Sequence, residues 1–148
     1  SGGFLPQLTA RDNVAFVGRV HGAHGAKLRQ LVRKVEEFVE IGDYFDLPMR
    51  SFSSGMVSRV AFGMSMAFDF DYYLIDEVMA VGDAHFKAKS KAALLERLND
   101  ANVILTSHSM GDIRQFCNMV VHVDGGRVTV YEDVEAGIRA YQGNAQKS

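Results

Sequence analysis

The stretch from Phe52 to Asp83, FSSGMVSRVAFGMSMAFDFDYYLIDEVMAVGD, most constrains what this chain can fold into, because its hydrophobic period changes midway. Apolar residues at Met56, Val60, Met64 and Phe68 recur at roughly helical spacing, and Ser53 and Ser54 stand directly before them as cap residues. A helix starting there presents N–H groups without helical partners, which attract an anion. Asp69 and Asp71 then mark a turn, and Tyr72-Tyr73-Leu74-Ile75 is the short apolar run of a buried parallel strand. Asp76 and Glu77 follow at once. Two carboxylates at the carboxyl end of a buried strand suit a metal ion and a water.

On either side of this stretch the chain has two different characters. Before it, Thr9 or Asp12 caps a short helix that runs through Val20 and stops at His21-Gly22-Ala23-His24-Gly25. From Ala26 to Glu40 the positions Leu28, Leu31, Val32, Val35, Phe38 and Val39 recur at threes and fours among charged residues, the pattern of an amphipathic helix with a solvated face. Ile41-Gly42-Asp43 stops it, and an irregular connection containing Pro48 leads into the serine-capped helix. Beyond Asp69 the predicted order is strand, helix from Ala84 to Asn99, and a second buried strand, Val103-Ile104-Leu105-Thr106. Ser107-His108-Ser109 and a helix from Met110 to Phe116 come next. Met119 to Val123 and Val128 to Tyr131 flank Asp124-Gly125-Gly126-Arg127, an Asp-Gly turn that closes a hairpin, and a last helix covers Val134 to Tyr141. Strands alternating with helices make this an α/β chain with a mainly parallel sheet.

Composition bounds the functions available. With 148 residues, 47% of them hydrophobic and 23% charged, the chain forms one domain or two sub-domains sharing a core. A formal net charge of -2 supplies no global basic field, so nucleic acid is not an expected partner. The single cysteine, Cys117, lies in an apolar context and is expected to be a small core residue in a reducing compartment. No apolar run reaches the roughly 20 residues that cross a bilayer, and the start, Ser-Gly-Gly-Phe, lacks the basic and apolar regions of a signal peptide.

An acidic residue after a parallel strand often merely caps the next helix. His108 adds weight to the functional alternative, because it too follows a buried strand, and the carboxyl ends of neighbouring strands share one crevice in an open α/β sheet. Acid, second acid and imidazole together suit nucleotide hydrolysis: one carboxylate positions Mg²⁺ through its water, another orients the attacking water, and the imidazole meets the terminal phosphate. His21, His24, His85 and His122 lack that placement.

The succession SSGM before a helix, YYLIDE, AVGD and TSH resembles the second half of an ABC transporter nucleotide-binding domain. Within that family it is similar to the ATPases that drive export of capsular polysaccharide and related surface glycans, whose motifs commonly read SSGM and DEV.AVGD. The resemblance covers the Gly3-Phe4 loop to Tyr141. It implies the carboxyl half of a P-loop (RecA-like) ABC ATPase core plus an α-helical sub-domain, with residues 1–68 helical and residues 69–148 completing the core. It also implies roles. Phe52-Ser53-Ser54-Gly55-Met56 matches the signature motif, usually LSGGQ, whose helix start grips the γ-phosphate of ATP held by the opposite subunit, with Ser53 as the principal hydroxyl. Asp76 matches the Walker B aspartate and is the metal-side residue, Glu77 the catalytic glutamate, Asp83 the D-loop aspartate and His108 the switch histidine. Ser54 replaces a glycine and Met56 a glutamine of the usual motif, changes that the glycan-export branch shares.

The same resemblance implies ATP and Mg²⁺ as cofactors, a homodimer with a second ATPase subunit, and a polytopic permease through which alone the chain meets the bacterial inner membrane, on its cytoplasmic face. The helical part is expected to carry the permease contact. Nothing in the sequence matches G-x-x-x-x-G-K-[ST], the loop that cradles the β- and γ-phosphates. The chain is therefore expected to be a fragment that neither binds nor hydrolyses ATP by itself. Two further readings remain at this point: a non-catalytic interaction module derived from such an ATPase, and an ABC-type ATPase for another exported substrate. ATPases of chromosome maintenance fit less well, because no sustained heptads interrupt the core.

Overall fold

The computed structural model describes residues 3–76 and 82–145. They divide into two compact units, one built from residues 3–70 and 82–97, the other from residues 71–76 and 98–145.

The first unit is helical. Helix α1 (Ala10–Val20) starts at Thr9, whose hydroxyl accepts from the backbone N–H of Asp12 and donates to the Asp12 carboxylate, so cap and third residue secure each other. Helix α2 (Gly25–Val39) buries Val32, Val35 and Val39 and ends at Glu40, which takes the left-handed conformation with φ 51°. Two short 3₁₀ turns, Gly42–Asp46 and Met49–Ser51, carry the chain to helix α3 (Ser54–Met66). The core joins Ala10 and Val14 of α1, the three valines of α2, Phe45 and Met49 of the connection, and Val60 of α3. Each fully buried valine or phenylalanine contributes about 1.5–3 kcal/mol.

Two features draw the helices close. A Cβ at Gly63 would lie 2.6 Å from Val39 Cγ1, so α3 approaches α2 as only glycine permits. Phe38, Phe62 and Phe86 then form a ring cluster with centroids 5.8 to 6.5 Å apart, which brings helix α4 (Ala84–Arg97) against α2 and α3. The division by sequence at residue 69 places α4 with the second part, whereas its phenylalanine packs it with the helices that precede it.

The polar contacts of this unit fasten its loops. Asn13, 2% exposed, accepts from Leu5 N–H and donates to the carbonyls of Leu5 and Thr9, holding the entering loop on α1. Arg11 reaches across α2 and the first 3₁₀ turn, with bonds of 2.6 and 3.0 Å to Glu36 and of 2.6 and 3.1 Å to Asp46, above the ring of Phe45. Arg97 pairs with Asp69 and donates to the Met66 carbonyl, closing the end of α3.

The second unit holds two two-stranded sheets. Strands β1 (Tyr72–Asp76) and β2 (Asn102–Thr106) pair in parallel, Tyr72 opposite Asn102 and Asp76 opposite Thr106. Helix α5 (Met110–Phe116) follows, then the antiparallel hairpin of β3 (Val120–Asp124) and β4 (Arg127–Tyr131). Gly125 and Gly126 at its turn take φ of 52° and 76°, the paired positive values that a two-residue hairpin turn of this hand requires. Helix α6 (Val134–Ala145) lies on the hairpin, where a Cβ at Gly137 would fall 2.5 Å from Val120 Cβ.

The parallel pairing follows the sequence expectation, but the burial does not. Tyr73 and Ile75 point inward, while Tyr72 is 62% exposed, Leu74 77% and Ile104 56%. Continuous apolar runs read as two-sided burial. Among the described residues only one face of β1 is covered, so its alternate side chains remain in solvent. Cys117, expected in the core, is only half-buried, and that burial pushes its thiol pKa up. No helix among the described residues is long and apolar enough to cross a membrane.

Candidate functional site

In the helical unit the site residues gather at two helix starts. Ser53 is extended, with φ -67° and ψ 159°, and its Oγ accepts from Met56 N–H at 3.2 Å, so it caps α3. Ser54 is the first residue of the helix rather than a second cap, and its carbonyl accepts from Ser58 Oγ. Both serines are exposed. A Cβ at Gly55 would meet only Ser53 Oγ, at 3.8 Å, so packing within the chain does not call for glycine there. An exposed capped helix start with a glycine in its first turn leaves backbone open to an approaching anion.

Asp83 stands at the other helix start, where its carboxylate has two partners. Oδ1 accepts from Phe86 N–H at 2.9 Å and thus caps α4, while Oδ2 takes Arg59 at 2.7 Å. The Phe86 N–H first, and the Arg59 guanidinium with it, hold the Asp83 carboxyl below the usual carboxylate range. Gly82 before it has φ 84°, a left-handed conformation suited to glycine. Glu77 lies outside the described residues, as do Ala80 and Val81 of the AVGD motif.

In the second unit Asp76 ends β1, exposed, and accepts from the hydroxyl of Thr106, its in-register partner on β2. His108, also exposed, follows β2 after one residue, Ser107. The turn that carries it is ordered locally: Ser107 Oγ accepts from Ser109 N–H at 3.0 Å, and Ser109 caps α5 by accepting from Asp112 N–H at 3.2 Å. Asp76 and His108 are thus brought to the same end of one parallel strand pair, the placement expected of them.

No group of three or more histidine, cysteine, aspartate or glutamate side chains among the described residues is arranged to hold a metal ion. A single exposed carboxylate oriented by a hydroxyl fits Mg²⁺, which keeps several waters and takes one or two protein carboxylates, and does not fit a metal needing a full protein cage. Three of the four histidines without strand-end placement have partners elsewhere: His21 lies 4.6 Å from the ring of Phe68, His85 3.3 Å from the Glu40 carboxylate, and His122 6.0 Å from the Tyr141 ring.

Sequence reasoning missed two residues. Thr106 ends a strand and opens the TSH motif, but its bond to Asp76 depends on a register that no local pattern announces. Arg59 sits within an apolar helical run, and a charge in such a run is itself a signal that a partner waits across the fold.

No family model matches the chain. It is 45% identical over 143 residues to the polysialic acid transport ATP-binding protein KpsT of Escherichia coli, covering 96% of this chain and 63% of that protein. It is 38% identical over 141 residues to the capsule polysaccharide export ATP-binding protein CtrD of Neisseria meningitidis, covering 95% of this chain and 64% of that protein. To the ABC transporter protein AbcA of Aeromonas salmonicida it is 33% identical over 140 residues, covering 94% of this chain and 46% of that protein. The relatives that the chain matches over nearly its whole length are ATP-binding proteins of export systems and ABC transporters. Within them its sequence falls with the proteins named for capsule and surface polysaccharide export, of which it spans just under two thirds of the length.

Proposed function

We propose that the full protein containing this chain is the ATP-hydrolysing subunit of an ABC transporter that exports a capsular polysaccharide or related glycan. The observation that carries the reading is identity of 38 to 45% to ATP-binding proteins of polysaccharide export over nearly the whole chain. Two copies would act together with a polytopic permease at the cytoplasmic face of the inner membrane, the helical residues 1–68 meeting the permease and residues 69–148 completing the catalytic core.

Each side chain then has a task. Ser53, Ser54, Gly55 and Met56 offer the start of α3 to the γ-phosphate of ATP on the partner subunit, where N–H groups and the helix dipole favour negative charge. Asp83 lies beside the same nucleotide. Asp76, steadied by the Thr106 hydroxyl, would hold Mg²⁺, which when bound would neutralise charge on the phosphates. Glu77 orients the attacking water and takes up its proton, and His108 reaches the terminal phosphate. The turn of Ser107 and Ser109 fixes the backbone on either side of the imidazole.

The test is Glu77→Gln in the full-length protein. It should leave ATP binding intact, abolish nearly all hydrolysis and trap an ATP-bound dimer visible by size-exclusion chromatography. Turnover at the wild-type rate would refute the role given to Glu77.

A further inference from the structure

We propose that Arg59 is a positioning residue for nucleotide turnover, locking the start of α4 to α3 so that Asp83 and the Ser53 turn keep one fixed geometry. The inference rests on the ATPase reading above and adds a residue to it.

Arg59 is a charged side chain with only 16% of its surface exposed, so its desolvation must be offset by partners. The structure supplies them on three sides. Its terminal nitrogen donates to Asp83 Oδ2 at 2.7 Å. Its guanidinium carbon lies 4.5 Å from the centre of the Phe86 ring, within cation–π range. On a third side is Gly82, where an added Cβ would fall 3.3 Å from Arg59 Nε and 3.1 Å from Phe86 Cβ. Gly82, Asp83 and Phe86 thus form a seat for a flat cation, with an aromatic floor, a carboxylate at the end and, at position 82, a glycine whose missing Cβ leaves room for the guanidinium.

The carboxylate divides its work within this seat. Asp83 Oδ1 caps α4 through Phe86 N–H, and Asp83 Oδ2 holds Arg59, so one side chain ties the helix start to α3. Phe86 is fully buried between Phe38 and Phe62, which leaves the floor no freedom to move. Ser53 caps the start of the helix that bears Arg59. Any shift of Asp83 relative to the Ser53 turn must therefore break the Arg59 contact or tilt α3. Lysine cannot take the place of arginine: an ammonium is a compact point charge, without the planar face that stacks while its edge pairs.

A purely structural ion pair would pin α4 with no consequence for turnover, and kinetics separate the two. In the full-length protein, kcat, KM for ATP and the thermal midpoint are measured for Arg59→Lys, Arg59→Ala, Asp83→Asn and the Arg59→Ala/Asp83→Asn pair. Asparagine at position 83 retains a capping oxygen and loses the charge that holds Arg59. Arg59→Lys is expected to keep the wild-type fold by circular dichroism and to lose about 10- to 100-fold in kcat, the scale of a displaced catalytic element. The double variant should be no slower than the slower single one, because both break the same contact. Wild-type kcat in folded Arg59→Lys, or losses that multiply in the pair, would overturn the inference. If Arg59→Ala does not fold, Arg59→Lys and Asp83→Asn decide the matter through kcat alone. Wild-type protein without Mg²⁺-dependent ATPase activity would overturn the ATPase reading instead, and this inference with it.

Discussion

Replacing Gly63 by alanine separates helix propensity from helix packing. The new Cβ would stand 2.6 Å from Val39 Cγ1 and 3.1 Å from Phe38 Cδ1, and Val39 is fully buried with nowhere to retreat. Inserting a methyl group into such a contact costs about 1–3 kcal/mol. Alanine in place of glycine returns about 1 kcal/mol of intrinsic helix stability. The net change is a loss of roughly 0–2 kcal/mol, and a control on the same helix sharpens it. Gly55→Ala meets nothing closer than Ser53 Oγ at 3.8 Å, so it gains propensity without a clash. The difference between the two variants cancels the propensity contribution and isolates the packing cost of about 1–3 kcal/mol. Urea denaturation of the chain followed by far-ultraviolet circular dichroism reads it, since the sequence contains no tryptophan. With equal slopes of about 2 kcal/mol per molar, Gly63→Ala should unfold roughly 0.5–1.5 M earlier than Gly55→Ala. Equal midpoints would refute the claim that glycine is required where α3 crosses α2.

Two further outcomes follow from polar contacts. The Arg11 guanidinium holds the Asp46 carboxyl below the ordinary carboxylate range, so the bond contributes stability above the unfolded-state pKa and loses it as pH falls through the lower folded-state value. Asp46→Asn should therefore flatten the decline of the denaturation midpoint between pH of about 5 and 3, and an unchanged acid limb would contradict the assignment. Thr106→Val removes the hydroxyl that orients Asp76, and in the full-length protein it should raise the Mg²⁺ concentration for half-maximal ATPase activity by about tenfold, as loss of a supporting bond to a metal ligand does. An unaltered Mg²⁺ requirement would show that Asp76 needs no such support.

Much of the fold was legible because each element carries its own local signal. Threes and fours of valine and leucine mark α2, the serine before an apolar run marks the start of α3, and the Asp-Gly turn closes the hairpin with two adjacent glycines of positive φ. The candidate site was legible for the same reason: Asp76 and His108 each follow an apolar strand, and the parallel register puts both at one end of the pair. What escaped depends on contacts between distant parts of the chain. Arg59 and Asp83 are 24 residues apart, and only the folded seat of Gly82 and Phe86 unites them. The exposed faces of Tyr72, Leu74 and Ile104 escaped for another reason, since an apolar run states that a strand is able to be buried on both sides and not what covers it. The grouping of α4 with α3 rests on an aromatic cluster and on the Arg59–Asp83 pair, contacts between distant residues that composition alone does not predict.

In the proposed dimer the stretch from Phe52 to Asp83 would serve two different nucleotides, the Ser53 helix start acting on ATP of the partner subunit and Asp76 with Glu77 on ATP of its own. Full-length subunits carrying Ser53→Arg and full-length subunits carrying Asp76→Asn test it directly when their ATPase activity is measured separately and after mixing. Each variant alone should be inactive, while the mixture should recover activity, because half of its mixed dimers' sites combine an intact Ser53 from one subunit with an intact Asp76 from the other. A mixture as inactive as its components, with mixed dimers demonstrated by differential tagging, would contradict the claim.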